Sequence, residues 1–129
     1  MMSTQVMKTT EHSLSAVVSA APINFAHLSK FTLGNRELER EVLELFSAHA
    51  LLYLGQLKTA SGTRDWHIAA HTLKGSAAAV GACHVAELAT RAEALKEDPD
   101  LLRRKLVIDQ LEVAVAEAAD HIAVHFPAR

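Results

Sequence analysis

Apolar residues recur every three to four positions along most of the chain, which is the period of helices buried on one side. The pattern predicts a short helix through Phe25, Leu28 and Phe31, capped by Asn24, and then long helices over 36–60, 64–80, 84–96 and 101–126. No segment shows the alternation of apolar and polar residues that is typical of a strand. Short connections between long amphipathic helices favour an all-α fold, an antiparallel four-helix bundle preceded by a short helix.

The same pattern predicts which side of each helix is buried and where each helix ends. The expected buried positions are Leu38, Val42, Leu45, Phe46, His49, Leu52 and Leu57 in the first long helix, Val85, Leu88, Ala92 and Leu95 in the third, and Leu101, Ile108, Leu111, Val115, Ala118, Ile122 and Phe126 in the last. Gly62 and Gly81 suit left-handed positions after a helix, Thr63 and Asp100 suit N-caps, and Asp98-Pro99-Asp100 reads as a turn.

Composition and charge exclude several classes of function. The chain has 129 residues, a mass of 14.0 kDa and a net charge of −2, which fit one domain and argue against a surface for nucleic acid. Aromatic residues make up only 5%, as suits closely packed helices. A single cysteine, Cys83, excludes an internal disulfide and indicates a reducing compartment, so we expect a cytoplasmic protein. No apolar run reaches the ~18 residues of a membrane span.

The first 22 residues differ from the rest. They are rich in Ser and Thr, and we expect residues 1–22 to form a disordered tail before a bundle over 23–127. Val18-Ser19-Ala20 resembles the cleavage site of a signal peptide, but the apolar run before it is short and is broken by serines, which favours the tail.

The helix predicted over 64–80 has an unusual outer face. Counting about 100° per residue from Leu73 places Trp66, Ala70, Ala77 and Val80 on one apolar stripe and His71 nearly opposite, at about 160°. Lys74, His67, Ala78 and Gly75 share the outer face with His71. A glycine inside a helix costs about 1 kcal/mol relative to alanine, and small residues beside a histidine let another surface approach the imidazole. A neutral imidazole can attack a phosphoryl group and hold it as a phosphoramidate, and Lys74 would offset the charge of that group.

These residues resemble the histidine-containing phosphotransfer (HPt) domains of multistep two-component phosphorelays. The resemblance covers about 24–126 and rests on Ala70-His71-x-Leu73-Lys74-Gly75-Ser76, on Val80-Gly81-Ala82, on Phe31-Thr32-x-Gly34-Asn35 and on Leu43-Glu44-Leu45-Phe46. Two positions depart from the pattern: Val80 stands where the family commonly has Leu, and Ala78 where many members have a polar residue.

The resemblance implies specific roles. His71 is the phosphoacceptor, Lys74 stabilises the phosphoryl group, and Glu93 meets the other imidazole nitrogen and orients the ring. The face that docks a receiver domain is lined by His67, Gly75, Ser76 and Ala78. The partners it implies are the receiver domains of a hybrid histidine kinase and of a response regulator. We expect a monomer with no cofactor of its own, since the magnesium ion belongs to the partner receiver.

Other readings of the residues compete with this one. The pairs His67 and His71, and His121 and His125, have the i, i+4 spacing of metal ligands, although neither belongs to a metalloprotease or di-iron motif. A purely structural adaptor bundle is the third class. The five glycines are scattered, so the chain has no glycine-rich loop for ATP and should not phosphorylate itself.

Overall fold

The computed structural model describes residues 21–97 and 100–127. Five helices follow one another in this part of the chain: α1 Phe25–Thr32, α2 Arg36–Thr59, α3 Thr63–Val80, α4 Cys83–Ala94 and α5 Leu101–His125. No strand occurs among the described residues, which confirms the all-α prediction. None of these helices combines the length and apolarity needed to cross a bilayer. The predicted tail lies outside the described residues except for its last two, and Asp98 and Pro99 of the predicted turn also lie outside them.

The four long helices close into a ring around one core. Helix α3 packs on α2 and α4, α5 packs on the same two helices, and α1 lies against α2 and α3. The backbones of helices α3 and α5 do not come close to each other in the described residues, so these helices occupy opposite corners of the bundle. The connections between consecutive helices are short, as an antiparallel arrangement requires. The largest fully buried side chains are Trp66, Ile23, Leu28, Leu43, Leu57, Leu73, Leu88, Leu111 and Val85.

Several helix ends form as the sequence predicts. The side chain of Asn24 accepts a hydrogen bond from the backbone of His27, and that of Asp100 accepts from the backbone of Leu102. Gly81 ends α3 at φ +80°, in the left-handed region. Its backbone carbonyl also accepts a 2.8 Å hydrogen bond from the backbone N–H of Asn24, and a Cβ at Gly81 would lie 2.7 Å from the carbonyl oxygen of Asn24. Only glycine therefore fits where the start of α1 crosses the end of α3.

The predicted junction between α2 and α3 is wrong in detail. Gly62 has an extended backbone, φ −157°, rather than a left-handed one, and Thr63 is the first residue of α3 rather than its N-cap. The physical reason is that α2 already ends at Thr59. Its C-cap, Ala60, turns to an extended conformation, and the chain then enters α3 through Gly62 without a left-handed residue.

The predicted buried stripe of α2 is also wrong in part. Its buried residues are Glu39, Leu43, Phe46, Ala50, Leu54 and Leu57, whereas Leu38, Leu45 and Leu52 are exposed. Helix α2 carries more leucines than one face can bury, and the exposed three form a second stripe at seven-residue spacing. In α5 the predicted stripe is buried from Leu111 onward and half-buried at Ile108, but Leu101 is exposed because it starts the helix at the end of the bundle.

Candidate functional site

Helix α3 presents its two faces as the sequence predicts. Trp66, Ala70, Leu73, Ala77 and Val80 are buried. On the opposite face His71, Gly75 and Ala78 are exposed, while His67 and Lys74 are half-buried. Ser76 is also half-buried and lies next to the buried face, about 60° from Leu73 around the helix. The side chain of His71 is 65% exposed, so its imidazole is open to an approaching molecule.

One buried contact fixes how α3 lies against α4. The indole Nε1 of Trp66 donates a 2.6 Å hydrogen bond to the backbone carbonyl of Ala92. The guanidinium of Arg104, on α5, lies 4.7 Å from the centre of the Trp66 ring and donates to the carbonyl of Lys96 at 2.8 Å. These contacts hold the last turn of α4 in place, and the next residue after Ala92 is Glu93.

Glu93 reaches the imidazole of His71 from this turn. The Oε2 atom of Glu93 lies 2.9 Å from Nδ1 of His71, and its Oε1 atom lies 3.9 Å from Nζ of Lys74. An ionised carboxylate only accepts hydrogen bonds, so Nδ1 carries the proton and donates it. The lone pair of the neutral ring is then on Nε2, the atom on the far side from Glu93.

The electrostatics of Glu93 match this arrangement. The hydrogen bond from His71 lowers the pKa of the Glu93 carboxyl group, the charge of Lys74 lowers it further, and partial burial opposes both. Glu93 is therefore an anion at neutral pH. This charge is available to balance a positive charge on the ring of His71.

His67 lies one turn before His71 on the same helix. The two imidazole rings are stacked, with centres 5.6 Å apart and planes inclined by 27°. The Nδ1 atom of His67 is buried and has no hydrogen-bond partner. In the part of the chain that the structure describes, no three His, Cys, Asp or Glu residues come together to hold a metal ion.

The packing of the helices does not explain the glycine beside His71. A Cβ atom added at Gly75 would meet nothing within 4 Å, so no neighbour in the bundle requires a residue this small. Because Gly75 has no side chain, nothing projects from the helix surface next to the imidazole at this position.

The sequence prediction missed an apolar border on the α2 side of this surface. Ile68 is exposed and lines a cleft between α3 and α2 with Gln56 and Thr59. Leu52 is one turn before Gln56 on the same face of α2 and is 53% exposed. The surplus of leucines in α2 was the available signal, but the prediction had assigned Leu52 to the core.

A family model for the Hpt domain matches residues 41–122, which is more than half of the chain. The chain belongs to the Hpt family. The HPt fold is also that of a solved structure, histidine-containing phosphotransfer protein B (HptB) from Pseudomonas aeruginosa PAO1, with a TM-score of 0.73 and 19% sequence identity over 82% of this chain and 95% of that one. No curated protein matches this chain.

Membership gives the general activity. HPt domains carry phosphoryl groups on a histidine in two-component phosphorelays, and their partners are receiver domains. The match confirms the family and the fold that the sequence predicts.

Proposed function

We propose that this chain accepts a phosphoryl group from the aspartate of one receiver domain on Nε2 of His71 and passes it to the aspartate of another. The observation that carries the proposal is the contact between Nδ1 of His71 and the carboxylate of Glu93. That contact leaves Nε2 as the nucleophilic atom on an exposed face, and Lys74 follows three residues later in the same helix.

In the forward step, the lone pair of Nε2 attacks the phosphorus atom of the receiver's aspartyl phosphate. A P–N bond forms, the P–O bond to the aspartate breaks, and the aspartate leaves as a carboxylate. The proton on Nδ1 stays in place, so the ring becomes cationic as it takes the phosphoryl group. The reverse step, to a second receiver, exchanges the same bonds in the opposite order.

Two side chains lower the cost of this charge separation. Glu93 faces the ring nitrogen that keeps the proton, and its carboxylate balances the positive charge of the phosphorylated ring. Lys74 follows His71 by three residues, so its ammonium lies on the same side of α3 and balances the phosphoryl oxygens. The receiver supplies the magnesium ion, and no carboxylate other than Glu93 is needed on this chain.

The docking face extends from the small residues of α3 to the apolar border on α2. Gly75 and Ala78 have small side chains or none, so a partner can come close at the centre of this face. His67 and Ser76 flank the centre. Leu52 and Ile68 offer apolar contact. We assign the receivers to a hybrid histidine kinase and to a response regulator, and we place the reaction in the cytoplasm with the chain acting as a monomer.

The first experiment follows labelled phosphate from a phosphorylated receiver, with magnesium, to the wild type and to His71→Gln. We expect the wild type to take up the label and the variant to take up none while keeping its helical circular dichroism, because His71 is exposed. The label on the wild type should be lost in acid and kept in base, as a phosphoramidate behaves. Transfer to His71→Gln at the wild-type level would contradict the assignment.

A second experiment tests the docking face with a matched pair of variants. Leu52 and Leu106 are the same residue type and are 53% and 54% exposed, but Leu106 is on α5, across the bundle from α3. Leu52→Glu should slow transfer from the receiver severalfold, because it places a charge where apolar contact is expected, and Leu106→Glu should not. Equal rates for the two variants would place the docking face elsewhere.

A further inference from the structure

Among the described residues, His67 lies beside His71 and has no chemical role in the proposed reaction. It follows from the helical period that residues four apart lie one above the other, and the stacked rings of His67 and His71 show this contact directly. The ring centres are 5.6 Å apart, so the two imidazoles lie next to each other on the same side of α3.

The burial of one ring nitrogen fixes which tautomer His67 adopts. A buried N–H without an acceptor costs more than a buried lone pair, because the donor loses its hydrogen bond to water. The Nδ1 atom of His67 is buried without a partner, so this nitrogen carries the lone pair and Nε2 carries the proton. The N–H of His67 is therefore on the side of the ring that faces away from the buried contact.

The distance between the rings suits a phosphoryl group. In His71 the Nδ1 atom is turned to Glu93, so Nε2 points away from α4. A phosphoryl group on that atom extends its oxygens by one P–N bond and one P–O bond. The P–N bond lies in the plane of the His71 ring, and the oxygens project to both sides of that plane. At least one oxygen therefore projects toward the neighbouring His67 ring, whose centre is 5.6 Å from that of His71.

We propose that Nε2–H of His67 donates a hydrogen bond to the phosphoryl group on His71. The phosphoryl oxygens would then be held from two sides, by Lys74 three residues after His71 and by His67 four residues before it. This inference rests on the proposed function. It deepens that function by giving His67 a contact with the transferred group, beyond a place on the docking face. No bond to His67 forms or breaks, since it donates a hydrogen bond and keeps its proton.

The test compares His67→Phe, which keeps a planar ring and removes the N–H, with His67→Gln, which keeps an amide N–H donor. The measured quantity is the ratio of phosphorylated to free chain at equilibrium with a phosphorylated receiver. This ratio depends only on the free proteins, so a residue that acts through docking alone changes the rate and leaves the ratio unchanged. We expect His67→Phe to lower the ratio about tenfold, the typical worth of one hydrogen bond to a charged group. His67→Gln should recover most of that loss.

A second measurement reads the tautomer in the wild-type protein without phosphate. Long-range ¹H–¹⁵N correlation spectra at pH 8 should show the proton of His67 on Nε2, and a proton on Nδ1 would overturn the proposal. An unchanged ratio for His67→Phe, or equal losses for the Phe and Gln variants, would also overturn it. If the wild type takes up no phosphate on His71, the proposed function fails as well, and that result is distinct from a wild type that is phosphorylated while His67→Phe matches it.

Discussion

The carboxylate of Glu93 lies between two basic side chains, and this position decides what His71 can do. A histidine on an exposed helix face would exchange its proton between both ring nitrogens. The hydrogen bond to Glu93 removes this freedom, since it selects the tautomer whose lone pair is on Nε2. Because the same hydrogen bond lowers the pKa of Glu93, the carboxylate stays ionised throughout the pH range in which an imidazole is neutral.

Lys74 should control the transfer equilibrium through its charge. Lys74→Ala should lower the ratio of phosphorylated to free chain by about tenfold at low salt, because it removes the cation that faces a group with nearly two negative charges. Lys74→Arg should retain much of the wild-type ratio. The measurement is this ratio at two ionic strengths.

The salt series serves as the internal control for the Lys74 variants. Lys74 is half-exposed, so added salt should screen its charge and narrow the gap between wild type and Lys74→Ala. Equal ratios for these two proteins at low salt would show that Lys74 is an ordinary solvated charge.

At the scale of the element, α3 combines a tightly packed inner face with an outer face that is kept small. The inner face packs against α2 and α4 through residues such as Ala70, Leu73 and Ala77, which are buried completely. The outer face has open space at Gly75, where the helix would be more stable with alanine. Helix α3 thus gives up local stability at the position where the proposed function has a receiver approach.

Two substitutions at Gly75 separate helix stability from access. Gly75→Ala should stabilise the protein by up to about 1 kcal/mol, because alanine is the better helix former and its Cβ meets nothing. Gly75→Glu should leave the fold intact and slow transfer from a receiver at least tenfold, because it adds bulk and negative charge one turn from His71. Thermal unfolding and the rate of labelled-phosphate transfer measure the two effects. A Gly75→Glu variant that is phosphorylated at the wild-type rate would show that access does not depend on this residue.

The sequence predicted the elements and the outward direction of His71 because both follow from helical periodicity. The helical wheel of α3 selects one buried side, since Trp66, Leu73 and Val80 fall together and, of its large apolar residues, only Ile68 falls outside that side. The α2 wheel is ambiguous, because Leu38, Leu45 and Leu52 repeat as regularly as the residues that are buried, and only the packing of the neighbouring helices selects between the stripes. The contact from Glu93 to His71 depends on the relative position of two helices, which Trp66 and Ala92 fix and which periodicity alone does not contain.

At the scale of the whole molecule, the end of α5 is fastened to the helices around it. Phe25, on α1, packs its ring against His121 and His125, with ring centres 5.3 and 4.5 Å apart. The guanidinium of Arg36 lies 4.2 Å from the centre of the Phe126 ring, and Arg36 also donates a hydrogen bond to the carbonyl of His125. Aromatic and cationic contacts therefore close the end of the bundle where α1 meets α5.

This end of the bundle should make the protein sensitive to mild acid. Burial lowers the pKa of His121 below its ordinary value of 6.5, and the charge of the neighbouring His125 lowers it further. The unfolded chain then takes up a proton before the folded chain does. The stability due to His121 is therefore complete above pH 6.5 and is lost as the pH falls through the lower pKa of the folded state. Tm measured at pH 7.5 and 5.5 should fall by more in the wild type than in His121→Gln.

His84 provides the control for this comparison, since it is exposed on α4. His84→Gln should lose as much Tm between the two pH values as the wild type does. An equal loss in His121→Gln would show that the pH sensitivity has another origin.

Helix α3 is held near both ends, by the indole of Trp66 on Ala92 and by the backbone of Gly81 on Asn24. The imidazole of His71 and the ammonium of Lys74 lie between these two points, and the carboxylate of Glu93 on α4 contacts both. A receiver that docks as we propose would meet side chains that are already in place, so little flexibility would be lost when the two molecules associate. A complex with a small interface can then be productive, and complexes with small interfaces dissociate quickly. Short-lived complexes of this kind would let the chain meet a donor receiver and then an acceptor receiver in rapid succession, as the proposed function requires.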